Sequence, residues 1–151
     1  MAIQTNKISA TQIDDVLGLF DQYMIFYKQP SAPEKYKSYL LQRLRNNEAM
    51  IYVAYNDNET PVGFVLNYQS FSSVSQGKTI ILNDLFVCPR SRKKGIATQL
   101  VACSVALAKE VGAVRVNLAT AKDNVSGQAL YEKLGFIKDT DYFSYGFAVL
   151  S

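Results

Sequence analysis

The chain has 151 residues, 48% of them hydrophobic, and its 16 basic and 13 acidic side chains give a formal net charge of +3. This length predicts one domain, here residues 1–151, which buries roughly two-thirds of the surface of the unfolded chain. The absence of histidine excludes Ser-His-Asp and Cys-His nucleophile systems, and it excludes zinc or haem sites that use histidine ligands.

The first third of the chain predicts one strand and two helices. Residues Ala2–Ile8 have the pattern of a short strand, and Ser9 or Thr11 then caps a helix in which apolar residues recur at helical spacing. The segment Ser31-Ala-Pro-Glu34 is typical of a capping box with proline in the first turn, and it predicts the start of a second helix.

Three strands are predicted in succession after these helices. Met50–Tyr55 and Pro61–Tyr68 are joined by the turn Asn56–Glu59, which indicates an antiparallel hairpin. A polar loop, Ser72–Lys78, leads into the apolar strand Thr79–Val87. Three consecutive strands exclude a doubly wound Rossmann pattern, in which strands and helices alternate.

The remaining third alternates between helices and strands. The predicted elements are a helix over Gly95–Val111, a strand over Val114–Leu118, a helix over Asn124–Leu134, and closing strands over Phe136–Lys138 and Tyr142–Leu150. The expected fold class is α+β with three αβα layers, around a mixed, mostly antiparallel sheet of about seven strands with about four helices.

Neither a membrane span nor a metal site is expected. The first ten residues are polar, and no apolar run approaches the ~20 residues that a membrane span needs. Cys88 and Cys103 lack the CxxC spacing of a soft-metal site. We therefore expect a soluble, cytoplasmic protein without a bound metal.

A cluster of positive charge marks the most informative segment. Arg90, Arg92, Lys93 and Lys94 fall within five positions, which indicates an anionic ligand, although a solvated loop or an RNA-binding patch would have the same charge. Gly95 allows a tight turn, and the free N–H groups and positive dipole end of the following helix favour a diphosphate. The Gly-Lys-Ser/Thr of a Walker loop is absent.

Two motifs then resemble those of one family. Arg92-x-x-Gly95-x-Ala97, after Leu85-Phe86-Val87-x-Pro89, resembles the pyrophosphate-binding motif of the GNAT family of N-acetyltransferases. Asn124 followed by Leu130-Tyr131-Glu132-Lys133-Leu134-Gly135-Phe136 resembles the family's second signature, with Gly127 where alanine is usual. Asn83-Asp84-Leu85 also resembles a strand of the branch that acetylates histones, polyamines and D-amino acids.

The resemblance implies the GNAT fold, acetyl-CoA as cosubstrate, and a set of cofactor-binding residues. Backbone groups at a splayed strand would pair with the pantetheine amides, loop amides would bind the diphosphate, and Asn124 would contact the pantetheine arm. The implied residues are Phe86, Val87, Arg92, Lys93, Lys94, Gly95, Ile96, Ala97 and Asn124.

The implied reaction is transfer of acetyl from acetyl-CoA to a primary amine by direct attack in a ternary complex. Without histidine, Asp84 is the expected base, directly or through a water chain, and Tyr131 is expected to stand near the thioester sulfur and protonate the departing thiolate. A covalent Cys88 intermediate would lack a partner base. Two other classes stay open: a non-catalytic acyl-CoA-binding or sensing module, and a small RNA-binding domain.

The acceptor is expected to be a small molecule or a lysine or peptide amine. Tyr23, Tyr27, Asp84 and Tyr142 are the predicted substrate-binding residues. Asp139 or Asp141 could also hold a cationic substrate. The family often pairs through its C-terminal strands, which implies a homodimer; neither a nucleic-acid partner nor a membrane partner is expected.

Overall fold

The computed structural model of the chain describes residues 2–150, and they fall into two compact units, the described parts of Met1–Ala119 and of Thr120–Ser151. The strands are β1 (Gln4–Lys7), β2 (Ala49–Tyr55), β3 (Pro61–Ser72), β4 (Gly77–Val87) and β5 (Arg115–Asn117). The α-helices are α1 (Asp14–Phe26), α2 (Pro33–Arg45), α3 (Ile96–Glu110) and α4 (Val125–Lys133). Short 3-10 turns, Ala10–Gln12 and Pro89–Ser91, precede α1 and follow β4.

The first unit contains a mixed sheet with strands in chain order. Neighbouring strands are antiparallel from β1 to β4, and β5 joins β4 in parallel. The expected mixed, mostly antiparallel sheet is therefore confirmed, together with its four α-helices.

The expected strand number was wrong. The described residues form five strands rather than about seven, because Phe136–Lys138 and Tyr142–Leu150 are not strands. The last of these segments is rich in aromatic residues, which have high β propensity. That propensity is expressed only when a neighbouring strand supplies hydrogen bonds and a packing surface, and residues 136–150 have no such ladder.

Helices cover both faces of the sheet in the first unit. One core cluster joins α1 and α2 to the sheet through residues such as Phe20, Leu40 and Phe64, all at most 6% exposed. A second cluster joins Leu107 of α3 to Ile80 of β4. The first unit therefore has the three-layer αβα arrangement that the sequence predicts.

A β-bulge in β4 decides which face its later side chains occupy. Leu66 of β3 pairs with Asp84, whereas the next residue, Asn67, pairs with Leu82, so Asn83 is one residue in excess. Ile80, before the bulge, packs in the α3 cluster, whereas Phe86, after it, packs in the α1/α2 cluster. The bulge therefore turns Asp84 and Phe86 towards α1 and α2.

A buried polar pair lies beside this bulge. Asn67 and Ser104 of α3 are both fully buried. The Ser104 hydroxyl donates to Asn67 Oδ1 at 2.7 Å, and Asn67 Nδ2 donates to the Met50 carbonyl at 3.2 Å. These bonds satisfy the buried amide and fix β3 where its pairing with β4 shifts.

The predicted cap of α2 was wrong, whereas the predicted cap before α1 lies one turn earlier than expected. Ser31 Oγ donates to Asp21 Oδ2 at 2.7 Å instead of capping α2, which starts at Pro33 after Ala32. Ser9 is the N-cap of the 3-10 turn Ala10–Gln12 and forms a capping box with Gln12, Thr11 lies within this turn, and α1 begins after it. The error at α2 arises because a hydroxyl that reaches another partner cannot cap the nearby helix.

Neither a membrane-crossing helix nor a metal cluster occurs in the described chain. No helix within residues 2–150 combines the length and the apolar character that a span requires. The same residues contain no group of three or more cysteine and acidic side chains that could hold a metal ion.

Candidate active site

Strands β4 and β5 separate soon after they pair. Their parallel ladder joins Thr79, Ile80 and Ile81 to Arg115–Asn117. Within the first unit's described residues, the later part of β4, Asn83–Val87, has no strand partner on that edge. Backbone N–H and C=O groups at such an edge must find partners in water or in a ligand. Phe86 and Val87, the predicted pantetheine contacts, lie on this edge.

The basic loop follows directly and is anchored to the end of β4. Cys88 N–H donates to the Val62 carbonyl at 2.9 Å. Arg92 Nε donates to the Val87 carbonyl at 2.9 Å, and its guanidinium lies 5.6 Å from the centre of the Phe86 ring. The Arg92 side chain therefore holds the loop against the strand, a role that sequence reasoning missed.

The backbone of this loop has the geometry of an anion cradle. Lys93 and Gly95 have positive φ values of 63° and 79°, and left-handed residues in such loops turn backbone N–H groups towards a shared concave side. Gly95 is the N-cap of α3, and a Cβ built on it would meet nothing within 4 Å. The space beside Gly95, at the N-terminus of α3, is therefore open.

These features fit the diphosphate that the sequence predicts. The N–H groups of the first helical turn have no partner inside the helix, and the helix dipole makes this end positive. Lys93 and Lys94 add exposed positive charge. Arg92 N–H already donates to the Pro89 carbonyl, at 3.4 Å, so the amides that serve a ligand best start at Lys93.

The candidate base, Asp84, lies on the α1/α2 face of β4. The Tyr23 hydroxyl donates to Asp84 Oδ1 at 2.6 Å, and Asn83 Nδ2 donates to Oδ2 at 3.0 Å. Asp84 is half-buried. The structure therefore brings together Asp84 and Tyr23, and Tyr27 packs against Tyr23 with ring centres 4.8 Å apart and ring planes tilted by 56°.

A second pair of phenols lies near this carboxylate. The hydroxyls of Tyr39 and Tyr68 are 2.7 Å apart, and the Arg43 guanidinium lies 5.0 Å from the centre of the Tyr39 ring. Burial raises the pKa of Tyr68 well above its ordinary value, and the hydrogen bond with Tyr39 and the charge of Asp84 raise it further. We call Asp84 with Tyr23, Tyr27, Tyr39 and Tyr68 the tyrosine cluster.

The tyrosine cluster contains residues that the sequence did not single out. Tyr39 was not predicted, and neither was the contact of Asn83 with Asp84. Tyr39 follows Tyr36 by three positions on α2, which indicates a shared helix face but does not reveal the partner on the sheet.

Three predicted site residues belong to the second unit. Asn124 is the N-cap of α4: its Oδ1 accepts from Gly127 N–H at 3.2 Å, and its Nδ2 donates to Thr120 Oγ1 at 2.9 Å. Tyr131 lies on α4 and makes an edge contact with Phe136, with ring centres 5.8 Å apart. Tyr142 is 82% exposed. Their catalytic and binding roles stay predictions.

Comparison with known proteins decides the family. A family model described as the acetyltransferase (GNAT) family matches residues 15–136. The chain belongs to the GNAT family of acetyltransferases. The resemblance of the two sequence motifs is thus confirmed, and the matched region contains both motifs and most of the tyrosine cluster's sheet and helix framework.

Individual relatives agree with this assignment. The acetyltransferase is 39% identical over 130 residues to YhfO, an uncharacterised N-acetyltransferase of Bacillus subtilis, which covers 86% of this chain and 87% of the relative. A crystal structure of a probable acetyltransferase superposes with a TM-score of 0.91 at 34% identity, covering 100% of this chain and 99% of the other.

A more distant structure contains a ligand. It is AAC(6')-Iy in complex with a bisubstrate analogue, CoA-S-monomethyl-acetylneamine, with a TM-score of 0.80 at 20% identity, covering 98% of this chain and 99% of the other. At this identity the similarity shows the fold of the acetyltransferase and leaves its acceptor open.

Proposed function

We propose that the acetyltransferase transfers acetyl from acetyl-CoA to a primary amine by direct attack in a ternary complex. The observation that supports this most is the position of Asp84, a half-buried carboxylate on the strand whose free edge leads into the anion cradle at Gly95. A donor bound along that edge would bring its thioester towards the carboxylate. Acetyl-CoA supplies the activated acetyl group.

The first proton problem concerns the acceptor. An alkylamine with a pKa of about 10 is almost entirely protonated at neutral pH, and removing the proton costs about 4 kcal/mol. Asp84 receives this proton, directly or through water. An ammonium ion also fits the tyrosine cluster, because aromatic faces and a carboxylate both attract a cation. Asp139 and Asp141 stay alternative anchors for a cationic substrate.

The second proton problem concerns the leaving group. The neutral amine attacks the thioester carbon, the C–S bond breaks, and the nitrogen loses a second proton. Tyr131 donates a proton to the sulfur and regains one from the nitrogen or from solvent, so that the products are an amide, a thiol and one released proton. Backbone N–H groups on the free edge of β4 can polarise the thioester carbonyl.

Retention of Asp84 and Tyr131 favours an enzyme over a non-catalytic acyl-CoA-binding module, since a module that only binds needs neither a base nor a proton donor. In the bisubstrate complex named above the ligand joins CoA to an aminoglycoside-type amine. That complex supports the direct-attack proposal for this chain. The acceptor of this chain is to be identified by experiment.

The test is a CoA-release assay over polyamines, both enantiomers of amino acids, aminoglycosides and lysine peptides. Tyr131→Phe is expected to lower kcat by about ten-fold or more with little change in the KM of acetyl-CoA. Asp84→Asn is expected to lower kcat at least as much. Tyr145→Phe and Asp15→Asn are the matched controls.

The assay also identifies the alternatives. Binding of acetyl-CoA without turnover of any amine would favour the sensing module. A wild-type rate in Tyr131→Phe would remove the phenol from the mechanism, and an unchanged rate and pH profile in Asp84→Asn would remove the carboxylate.

A further inference from the structure

The carboxylate of Asp84 accepts two hydrogen bonds from two different elements. The Tyr23 hydroxyl of α1 donates to Oδ1 at 2.6 Å, and Asn83 Nδ2 of β4 donates to Oδ2 at 3.0 Å. A carboxylate oxygen has two lone pairs, so each oxygen keeps one for a substrate. The hydrogen bond from Tyr23 is the shorter of the two, and it joins α1 to β4.

Tyr23 is itself held in place by aromatic packing. The centre of its ring lies 5.7 Å from that of Phe64 and 6.1 Å from that of Phe86, both in edge contacts, and 5.9 Å from the ring centre of Phe20. The ring therefore cannot turn away without disturbing the α1/α2 core cluster. A donor held this firmly also fixes the rotamer of its acceptor.

The protonation state of Tyr23 is equally fixed. Burial raises the pKa of its phenol far above the ordinary value, and the hydrogen bond to Asp84 and the charge of Asp84 raise it further. Tyr23 therefore keeps its proton over the whole range in which a carboxylate titrates, and it remains a donor throughout.

We propose that Tyr23 is a positioning residue that fixes the orientation of the Asp84 carboxylate for proton acceptance. This inference rests on the proposed function, in which Asp84 is the base. The sequence predicts Tyr23 as a substrate contact; in the structure its hydroxyl donates to the carboxylate, and its ring is part of the tyrosine cluster.

Other charged and titratable groups surround the same carboxylate. Tyr27 of α1 packs against Tyr23 with tilted ring planes. The charge of Asp84 raises the pKa of Tyr68 on β3, and the Tyr68 hydroxyl forms a hydrogen bond with that of Tyr39 on α2. Arg43 of α2 acts on Tyr68 and is paired with Glu48, with Nε 2.9 Å from Oε1. Of these groups, Tyr23 is the one whose hydroxyl bonds directly to Asp84.

Tyr23→Phe removes the donor and keeps the ring. Without this bond the Asp84 carboxylate loses the donor that fixes its rotamer, so kcat is expected to fall by about ten-fold, the equivalent of one lost hydrogen bond. The measurement is kcat at saturating acetyl-CoA and amine, with the KM of acetyl-CoA unchanged.

Tyr55→Phe is the matched control. The Tyr55 hydroxyl donates to Asp15 Oδ2 of α1, also at 2.6 Å, so both variants remove one phenol–carboxylate bond between α1 and the sheet. A structural effect of losing such a bond would appear in both variants, whereas the fall in kcat is expected in Tyr23→Phe alone.

A second replacement tests the same donor without removing it. A difluorinated tyrosine at position 23 keeps the hydroxyl and the ring but donates more strongly to the carboxylate, so kcat is expected to change, whereas the same replacement at position 55 leaves kcat unchanged. This variant keeps the inference testable even when Tyr23→Phe does not fold, as judged by circular dichroism and thermal unfolding.

The outcomes separate the two proposals. A kcat unchanged by both replacements at position 23, or lowered equally by Tyr55→Phe, overturns the role of Tyr23 while Asp84→Asn remains inactive. A fully active Asp84→Asn overturns the base assignment in the proposed function, and the role of Tyr23 falls with it. A fall in kcat in Tyr23→Phe, at an unchanged KM of acetyl-CoA and absent from Tyr55→Phe, establishes the role.

Discussion

At the scale of single residues, Gly127 lies directly against the Asn124 side chain within the second GNAT signature. A Cβ built on Gly127 would lie 2.4 Å from Asn124 Nδ2 and 2.9 Å from its Cγ. The cap geometry of Asn124 therefore depends on the missing side chain at position 127. The family pattern usually has alanine there, so the cap in this chain is tighter than that pattern allows.

Gly127→Ala is expected to displace the Asn124 side chain. The loss of the cap costs about 1 kcal/mol, and alanine returns a similar amount through its higher helix propensity, so the free energy of unfolding changes little. The KM of acetyl-CoA rises if Asn124 contacts the pantetheine arm. Urea unfolding and steady-state kinetics measure the two effects.

The same variant distinguishes two roles of Asn124. If this residue is only a helix cap, the KM of acetyl-CoA stays at its wild-type value in Gly127→Ala. Gly135→Ala, at a positive φ of 101° beyond the end of α4, is the control, because it strains the backbone without approaching Asn124.

At the scale of elements, β3 and β4 approach each other closely at Phe86 and Val87, which lie on the free edge of β4. A Cβ on Gly63 of β3 would lie 2.9 Å from the Phe86 carbonyl and 3.3 Å from Val87 Cγ2. The Phe86 carbonyl belongs to the backbone, so it can move only if the strand moves. The free edge of β4 thus depends on a residue of the neighbouring strand.

Gly63→Ala is expected to push the end of β4 outwards. The overpacking costs about 1–3 kcal/mol of unfolding free energy and raises the KM of acetyl-CoA, since Phe86 and Val87 shift. Gly18→Ala in α1 is the matched control: its Cβ would meet nothing within 4 Å, and alanine in a helix stabilises by about 1 kcal/mol. Equal effects of the two substitutions would contradict the prediction.

Elements that depend on local signals were predictable. The local sequence pattern predicted the helix over Gly95–Val111, and the structure has α3 there, with Leu100, Ser104 and Leu107 on its buried face. The basic loop was predictable for the same reason. The cap at Ser31 was not, because its hydroxyl reaches Asp21, ten positions away along the chain.

Features that depend on partners far apart along the chain could not be predicted from the sequence. Nothing in the alternation of β4 reveals that Asn83 is in excess, since the bulge is defined by pairing with β3. The bond of Tyr23 to Asp84 spans 61 positions. The aromatic segment after α4 has the composition of a strand, but composition alone does not supply a neighbour. The homodimer stays a prediction.

At the scale of the whole molecule, several phenols have raised pKa values. Burial is the largest cause for Tyr23, Tyr52, Tyr55 and Tyr68, and a hydrogen bond adds to it at Tyr23, Tyr55 and Tyr68. Each is more readily ionised in the unfolded chain, where the pKa of tyrosine is about 10. Their stabilising contribution is complete below that pH.

The free energy of unfolding is therefore expected to fall as pH rises above about 10, because the unfolded chain then binds fewer protons than the folded one. Each of these tyrosines contributes at most about 1.4 kcal/mol per pH unit. Tyr55→Phe should be less stable than wild type below that pH and show a shallower alkaline decline. Urea unfolding in alkaline buffers checks this, and parallel declines in the two proteins would contradict it.

The surplus residue in β4 also bears on how the gene can change. Leu82 and Asp84 are residues i and i+2, which share a face in a regular strand. Here they lie on opposite faces because Asn83 between them is in excess. Deletion of Asn83 alone would make Leu82 and Asp84 ordinary neighbours, which still face opposite sides. In evolutionary terms, the gene can lose the codon for Asn83 while every other side chain of β4 stays on its own face of the sheet.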